Sequence, residues 1–199
     1  MAPSRAPNPV GVGSPVTGDE SGAGGDYDAN HRPCRLAVHT AIVRLFVAVA
    51  PPADALAVVA GLDRPDVPGV RWTTADQWHV TLRFLGEVEH PGPVVAALDG
   101  APLVPTIASL GPRVATLGRG VLMVPVAGLD ALAGAVVSAT AGVGQPPGDR
   151  PFRGHITLAR ARRGASVRGL AGAAVAATFP VQDVRLMRSR LGRGGARYE

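Results

Sequence analysis

The 199-residue chain is 46% apolar and 18% charged with mean hydropathy +0.18, the composition of one folded domain with room for a tail. Its single cysteine, Cys34, excludes a disulfide scaffold, a cysteine-rich zinc cluster and a CxxC redox pair. The net charge of +5, carried by arginine with no lysine, points to an anionic partner such as phosphate, nucleotide or RNA, although charge speaks to association and not to fold.

Residues 1–42 are rich in Pro, Gly, Ser and Asp and too poor in large apolar side chains to offset the entropy of ordering, so a disordered N-terminal extension is expected there. They carry three Arg against four acids, while 43–199 carry 17 against 11, so the basic character belongs to the domain. Leu36 to Ala50 resembles the apolar core and Ala-Val-Ala site of a secretory signal, but polar residues precede it and His39 and Arg44 interrupt it. It is also too short and too charged to span a bilayer. A cytoplasmic location and no membrane partner are expected.

From Val43 the pattern becomes that of a folded domain. Val43 to Ala50 reads as a strand stopped by Pro51-Pro52, and Ala53 to Leu62 as a helix. A short strand follows at Val70 to Thr74, then an alternating strand from Gln77 to Leu85 closed by Gly86, then a helix from Pro91 to Leu98. The second half repeats this order: strands at Thr106 to Leu110, Arg113 to Leu117 and Val121 to Val126, a helix from Leu129 to about Ala141, a Gly/Pro-rich loop from Gly142 to Arg150, and a strand from Gly154 to Arg160. Val181 to Leu191 and Arg197 to Glu199 form the expected arms of a hairpin across Gly192-Arg193-Gly194-Gly195. The class implied is α+β, with two similar antiparallel-sheet lobes, outer helices and a central cleft.

An internal echo stands out. His79-Val80-Thr81-Leu82 and His155-Ile156-Thr157-Leu158 both read His-aliphatic-Thr-Leu on a predicted strand. Residues two apart share a strand face, so each copy sets an imidazole beside a hydroxyl and sends its aliphatic pair into the apolar layer. Two such strands across one cleft would suit a phosphodiester. One neutral imidazole can accept a proton, one imidazolium can donate one, and the threonine hydroxyls can hold non-bridging oxygens without added charge. This scheme needs no metal and no cofactor.

The paired motifs resemble those of the two-histidine (2H) phosphoesterase superfamily, and closest in context are the LigT-like RNA 2′,3′-cyclic phosphodiesterases, also called 2′-5′ RNA ligases. The resemblance rests on Arg44-Leu45-Phe46-Val47-Ala48, on Trp78 to Val88 around the first motif, and on Arg150 to Arg160 around the second, and it runs from about Val43 to Glu199. It implies hydrolysis of a 2′,3′-cyclic phosphate to a 2′-phosphate and, in some members, reversible 2′-5′ ligation. It also implies that His79 is the proton donor and His155 the acceptor, with Thr81 and Thr157 on the phosphate. RNA ends or nucleotides bearing a 2′,3′-cyclic phosphate are the expected partners of a monomeric enzyme. The chain departs from the family pattern in the 42 residues before the Arg44 strand and in stopping at Tyr198-Glu199, which is expected to weaken that sheet edge without touching either motif. A competing reading is a nucleotide- or RNA-binding module that keeps the cleft without turnover.

Five further residues are candidates to meet the substrate. Strand parity turns Phe46 with Arg44 and Ala48 toward the cleft, where it is a candidate to stack on a base, with ordinary core packing as the alternative. Phe152 is a weaker stacking candidate and also reads as a loop anchor. Alternation sets Arg83 beside His79 and Thr81, ready for phosphate. Arg153 and Arg160 also flank the motifs and could meet phosphate or RNA backbone, although alternation turns Arg160 away from His155. Arg162, Arg163, Arg188, Arg190 and Arg193 read as solvated surface, and His31, His39 and His90 have no partner at ligand spacing. Gly118-Arg119-Gly120 lacks phosphate-loop spacing and reads as a hairpin turn.

Overall fold

The computed structural model describes residues 42–192 and 195–199. The expectations for 1–41, with His31, Cys34 and His39, and for Arg193 lie outside the described residues.

The β-branched run Val43–Val49 forms β1 and ends where Pro51 and Pro52 remove two donors; Ala53–Ala60 then forms α1. At the other end of α1 the Arg64 guanidinium donates to the Ala60 and Val59 carbonyls, two of the acceptors that a helix terminus leaves open. The remaining elements are β2 (Val70–Trp72), a 3-10 turn (Ala75–Gln77), β3 (Val80–Val88), α2 (Gly92–Asp99), β4 (Thr106–Leu110), β5 (Ala115–Leu117), β6 (Val121–Ala127) and α3 (Asp130–Ala139). They are followed by β7 (His155–Ala161), a second 3-10 turn (Arg168–Leu170), β8 (Ala177–Val181), β9 (Arg185–Gly192) and β10 (Gly195–Tyr198). Gly118-Arg119-Gly120 is the hairpin turn between β5 and β6.

The strands pair antiparallel in the order β10-β9-β1-β3-β7-β6-β4-β8, with β2 beside β7 and β5 beside β6. The α+β architecture expected from the sequence is present. Its two four-strand halves meet at β3 and β7, the strands that carry the motifs. One sheet face packs Leu45, Val47, Val80, Leu122, Val124, Ile156 and Leu158 against Val59 of α1, Val94 of α2 and Val136 of α3.

The structure corrects the strand limits in two places. Gly86 does not close β3 but lies inside it with φ +71, where β1–β3 pairing jumps from Leu45 opposite Gly86 to Phe46 opposite Phe84. This is a β-bulge with glycine in the left-handed conformation, which costs glycine little. The expected arm from Val181 to Leu191 is two strands: Val181 ends β8, which pairs with β4, and Arg185 starts β9, which pairs with β1 and β10.

Candidate active site

Val80 of β3 lies opposite Ile156 of β7 in antiparallel register, and both are fully buried. One residue to either side of this pair, His79 comes level with Thr157 and Thr81 with His155, all four half-buried on the opposite face. Neither threonine hydroxyl is taken up by a hydrogen bond within the described residues. Pro125 and Met123 of β6, opposite His155 and Thr157, continue the same face.

Each histidine is tied to the backbone two residues before it. His155 Nδ1 lies 2.7 Å from the Arg153 carbonyl, a contact that requires Nδ1–H and leaves Nε2 for chemistry; His79 bonds to the backbone of Gln77. Gly154 sets the second motif close to β6, because a Cβ there would fall 2.3 Å from the Val126 carbonyl oxygen.

The two environments differ. The His79 ring packs 4.9 Å from Phe46 and 4.7 Å from Tyr198, whose ring stands edge-on at 79°. Burial lowers its pKa from 6.5 to about 4; the Gln77 bond opposes this, and the nearby His155 and Arg160 charges add to it. The contact with Tyr198 corrects the expectation that the end of the chain leaves both motifs untouched. The Gln77 side chain also donates to the Ala196 carbonyl at 2.6 Å, joining β10 to the turn that precedes His79.

A hydrogen-bonded chain links the two motifs. Trp78, next to His79, donates its Nε1–H to Thr73 Oγ1 at 3.0 Å, and Thr73 Oγ1 lies 2.7 and 2.8 Å from the Thr157 and Leu158 carbonyls. Those carbonyls sit at a bulge, since β6–β7 pairing runs from Met123 opposite Thr157 to Leu122 opposite Ala159, with Leu158 as the extra residue. The first motif does the same: Ala48 pairs with Thr81 and Val47 with Arg83, with Leu82 as the extra residue.

These matched bulges invert the alternation beyond each motif. Arg83 turns away from His79 and Thr81 into the interior, where it is only 4% exposed. Its guanidinium donates to the Val137 carbonyl and Thr140 Oγ1 at the end of α3 and to the Gln145 and Val143 carbonyls of the following loop. Its expected role on the substrate is therefore replaced by a helix-capping one. Arg160 moves the opposite way. It pairs with Val121, whose side chain shares the face of Met123 and Pro125, so Arg160 is exposed on the histidine side, near enough to act on His79.

Phe46 does face that side, in ring contact with His79, Phe84 and Tyr198, but it is 2% exposed and has no open face for a base. Phe152 is half-buried against the core and close to Gly154. Sequence reasoning missed Phe84, Tyr198 and Thr73. Only Gly86, a glycine inside an alternating run, hinted at an irregular strand.

Solved structures share this fold. The E. coli LigT structure complexed with 3′-AMP is 27% identical, with a TM-score of 0.62 over 80% of this chain and 95% of that one. A crystallised phosphoesterase is 28% identical, with a TM-score of 0.63 over 79% of this chain and 94% of that one. A Thermus thermophilus protein is 27% identical, with a TM-score of 0.62 over 78% of this chain and 93% of that one. The family model for LigT-like phosphoesterases matches residues 47–104. Over these residues and in its fold the chain is similar to the LigT-like phosphoesterases. No curated protein sequence matches the chain. Among its described residues no helix is long and apolar enough to cross a membrane.

Proposed function

We propose that this LigT-like phosphoesterase hydrolyses the 2′,3′-cyclic phosphate of a nucleotide or RNA end to the 2′-phosphate. The observation that carries the reading is the Val80–Ile156 register, which sets two imidazoles and two unengaged hydroxyls around one point on one sheet face. E. coli LigT has been crystallised with 3′-AMP, with NADP+ and with phosphate, which supports a nucleotide-shaped ligand.

In this reading Thr81 and Thr157 donate hydrogen bonds to the non-bridging oxygens, and Arg160 offsets their charge. His155 Nε2 takes a proton from water as the water oxygen bonds to phosphorus. The P–O3′ bond breaks, and His79 gives its proton to the leaving 3′ oxygen. Proton exchange with solvent restores both rings, and the ligation direction exchanges their roles. The imidazoles make every proton transfer, so the scheme assigns no step to a metal.

The low pKa of His79 adds a condition. At pH 7 a group held at about 4 is neutral, so a donor at this position must be charged by the substrate itself. The bound phosphate supplies that charge by countering Arg160 and the burial of the ring. Nucleotide binding is therefore expected to take up a proton, measurable as a buffer-dependent binding enthalpy; an enthalpy independent of the buffer would remove His79 as the donor.

The deciding experiment follows adenosine 2′,3′-cyclic phosphate in EDTA with the parent chain, His79→Ala and His155→Ala, resolving the product isomers. The expected result is 2′-phosphate from the parent, with a loss of at least about a hundredfold in either variant and ligand affinity largely retained. Turnover by the parent that survives both substitutions would overturn the two-histidine mechanism. Nucleotide binding without turnover of cyclic or 2′-5′-linked substrates would favour the binding-module reading.

A further inference from the structure

We infer that Glu87 reads the hydrogen-bonding edge of the base and gives the site a preference for guanine. The inference rests on the cyclic-phosphate reading for the substrate class.

Cross-strand register sorts the histidine face of the first half into rows. Thr81, Ala48 and Arg185 stand side by side on β3, β1 and β9; Phe84, Phe46 and Met187 come next, and Glu87, Arg44 and Ser189 after them. The rows are polar, apolar and polar again, and the four residues of β1 from Ala48 to Arg44 span about 13 Å of strand. A nucleotide laid along β3 has the same order. With its phosphate at Thr81, the flat base lies over the second row, where Phe84 is 69% exposed, and the edge of the base points to the third.

The third row leaves its charges open. Glu87 and Arg44 are directly opposite each other, the position from which unlike charges pair across strands, and both are exposed while Val43 and Leu45 beside Arg44 are buried. Neither forms an ion pair with the other or with any other described residue. Glu87 also lines an open cavity of about 550 Å³ with Glu89, His90, Gln145 and Pro146, so space is free beside this end of β3.

A carboxylate with a guanidinium beside it matches one base edge. Guanine offers N1–H and N2–H to the two carboxylate oxygens and, next along the same edge, O6 to an arginine N–H. Adenine carries a lone pair on N1 where guanine carries a hydrogen, so it faces the carboxylate with repulsion and donates only from N6. Uracil has a single donor, N3–H, between two acceptors, and cytosine donates only from N4. Arg44 also offsets the charge of Glu87, so the row does not repel the anionic end of the nucleotide.

The test uses the full chain with Glu87→Ala and Glu87→Gln. Kinetics are measured on the 2′,3′-cyclic phosphates of guanosine, inosine and adenosine, and calorimetry on guanosine and adenosine 3′-monophosphates. The parent is expected to have a KM for guanosine about tenfold below that for adenosine, with inosine, which lacks the N2 amine, between them. Glu87→Ala should raise the guanosine KM and Kd about tenfold, with the adenosine values and kcat moving less than about twofold. Glu87→Gln should close the gap between the bases, because its amide accepts from adenine N6–H and donates to N1. Equal values for guanosine and adenosine in the parent, or equal losses on both bases in Glu87→Ala, would overturn the inference and leave the cyclic-phosphate reading intact. If the parent hydrolyses no cyclic phosphate while its preference for guanosine 3′-monophosphate still depends on Glu87, the cyclic-phosphate reading fails and the base reading stands. Binding of neither monophosphate would overturn both.

Discussion

His79 keeps its low pKa because Phe46 and Tyr198 take the place of water around its ring. The sign of the effect on stability follows from this. An unfolded histidine binds its proton near pH 6.5 and the folded one near 4, so the stabilisation is complete above 6.5 and is lost as pH falls to about 4. The slope between those limits is at most about 1.4 kcal/mol per pH unit. Tyr198→Ala uncovers the ring, so the His79 pKa should rise toward its ordinary value, as read by imidazole NMR. The difference in urea stability between pH 7 and pH 5 should shrink with it. An unmoved titration would show that Tyr198 does not shield the ring.

At the scale of the element, α3 and the loop after it are closed by Arg83 together with Thr140, whose hydroxyl donates to the Val136 carbonyl. Helix C-termini leave carbonyls without partners, and a cation there also suits the helix dipole. Arg83→Ala strands the Val137 and Gln145 carbonyls and should cost about 2–4 kcal/mol of unfolding free energy, with lysine rescuing little because it lacks the forked geometry. Thermal unfolding measures this. Thr73→Val removes the hydroxyl that joins Trp78 to the carbonyls around Leu158, and is expected to lower kcat more than stability because the second motif loses its brace.

Here also lies the boundary of what the sequence discloses. The strands, the helices and the two motifs were legible, because apolar periodicity and the repeated His-x-Thr-Leu are written in side-chain types. Which way Arg83, Phe84 and Arg160 point was not. A bulge is decided by pairing with β1 and β6, strands distant in sequence, and the Leu that makes the extra residue is as apolar as any regular strand position. Tyr198 was missed for the same reason, since only the order β10-β9-β1-β3 carries it back to His79.

Across the whole molecule, register places Arg44, Arg71, Arg160 and Arg185 on the face that holds the histidines, with Glu87 opposite Arg44. A face of this charge favours a polyanion over a mononucleotide. The affinity for an RNA end should therefore fall more steeply with salt than that for a nucleoside cyclic phosphate, and Arg44→Ala or Arg185→Ala should flatten the RNA slope by about one unit each in a log–log plot of binding against salt. Parallel slopes for the two ligands would show that the RNA backbone does not run across this face.

β1 and β3 share seven register pairs, whereas β3 and β7 share one, Val80 opposite Ile156. The two histidines therefore ride on two leaves of a book whose spine is a single residue wide. Their spacing is set by how two aliphatic side chains fill that spine, with the Thr73 bridge from Trp78 to the Thr157 and Leu158 carbonyls beside it. Ile156→Val, at a usual stability cost of about 0.5–1.5 kcal/mol, should act as a fine adjustment of catalytic spacing, with kcat falling while KM holds.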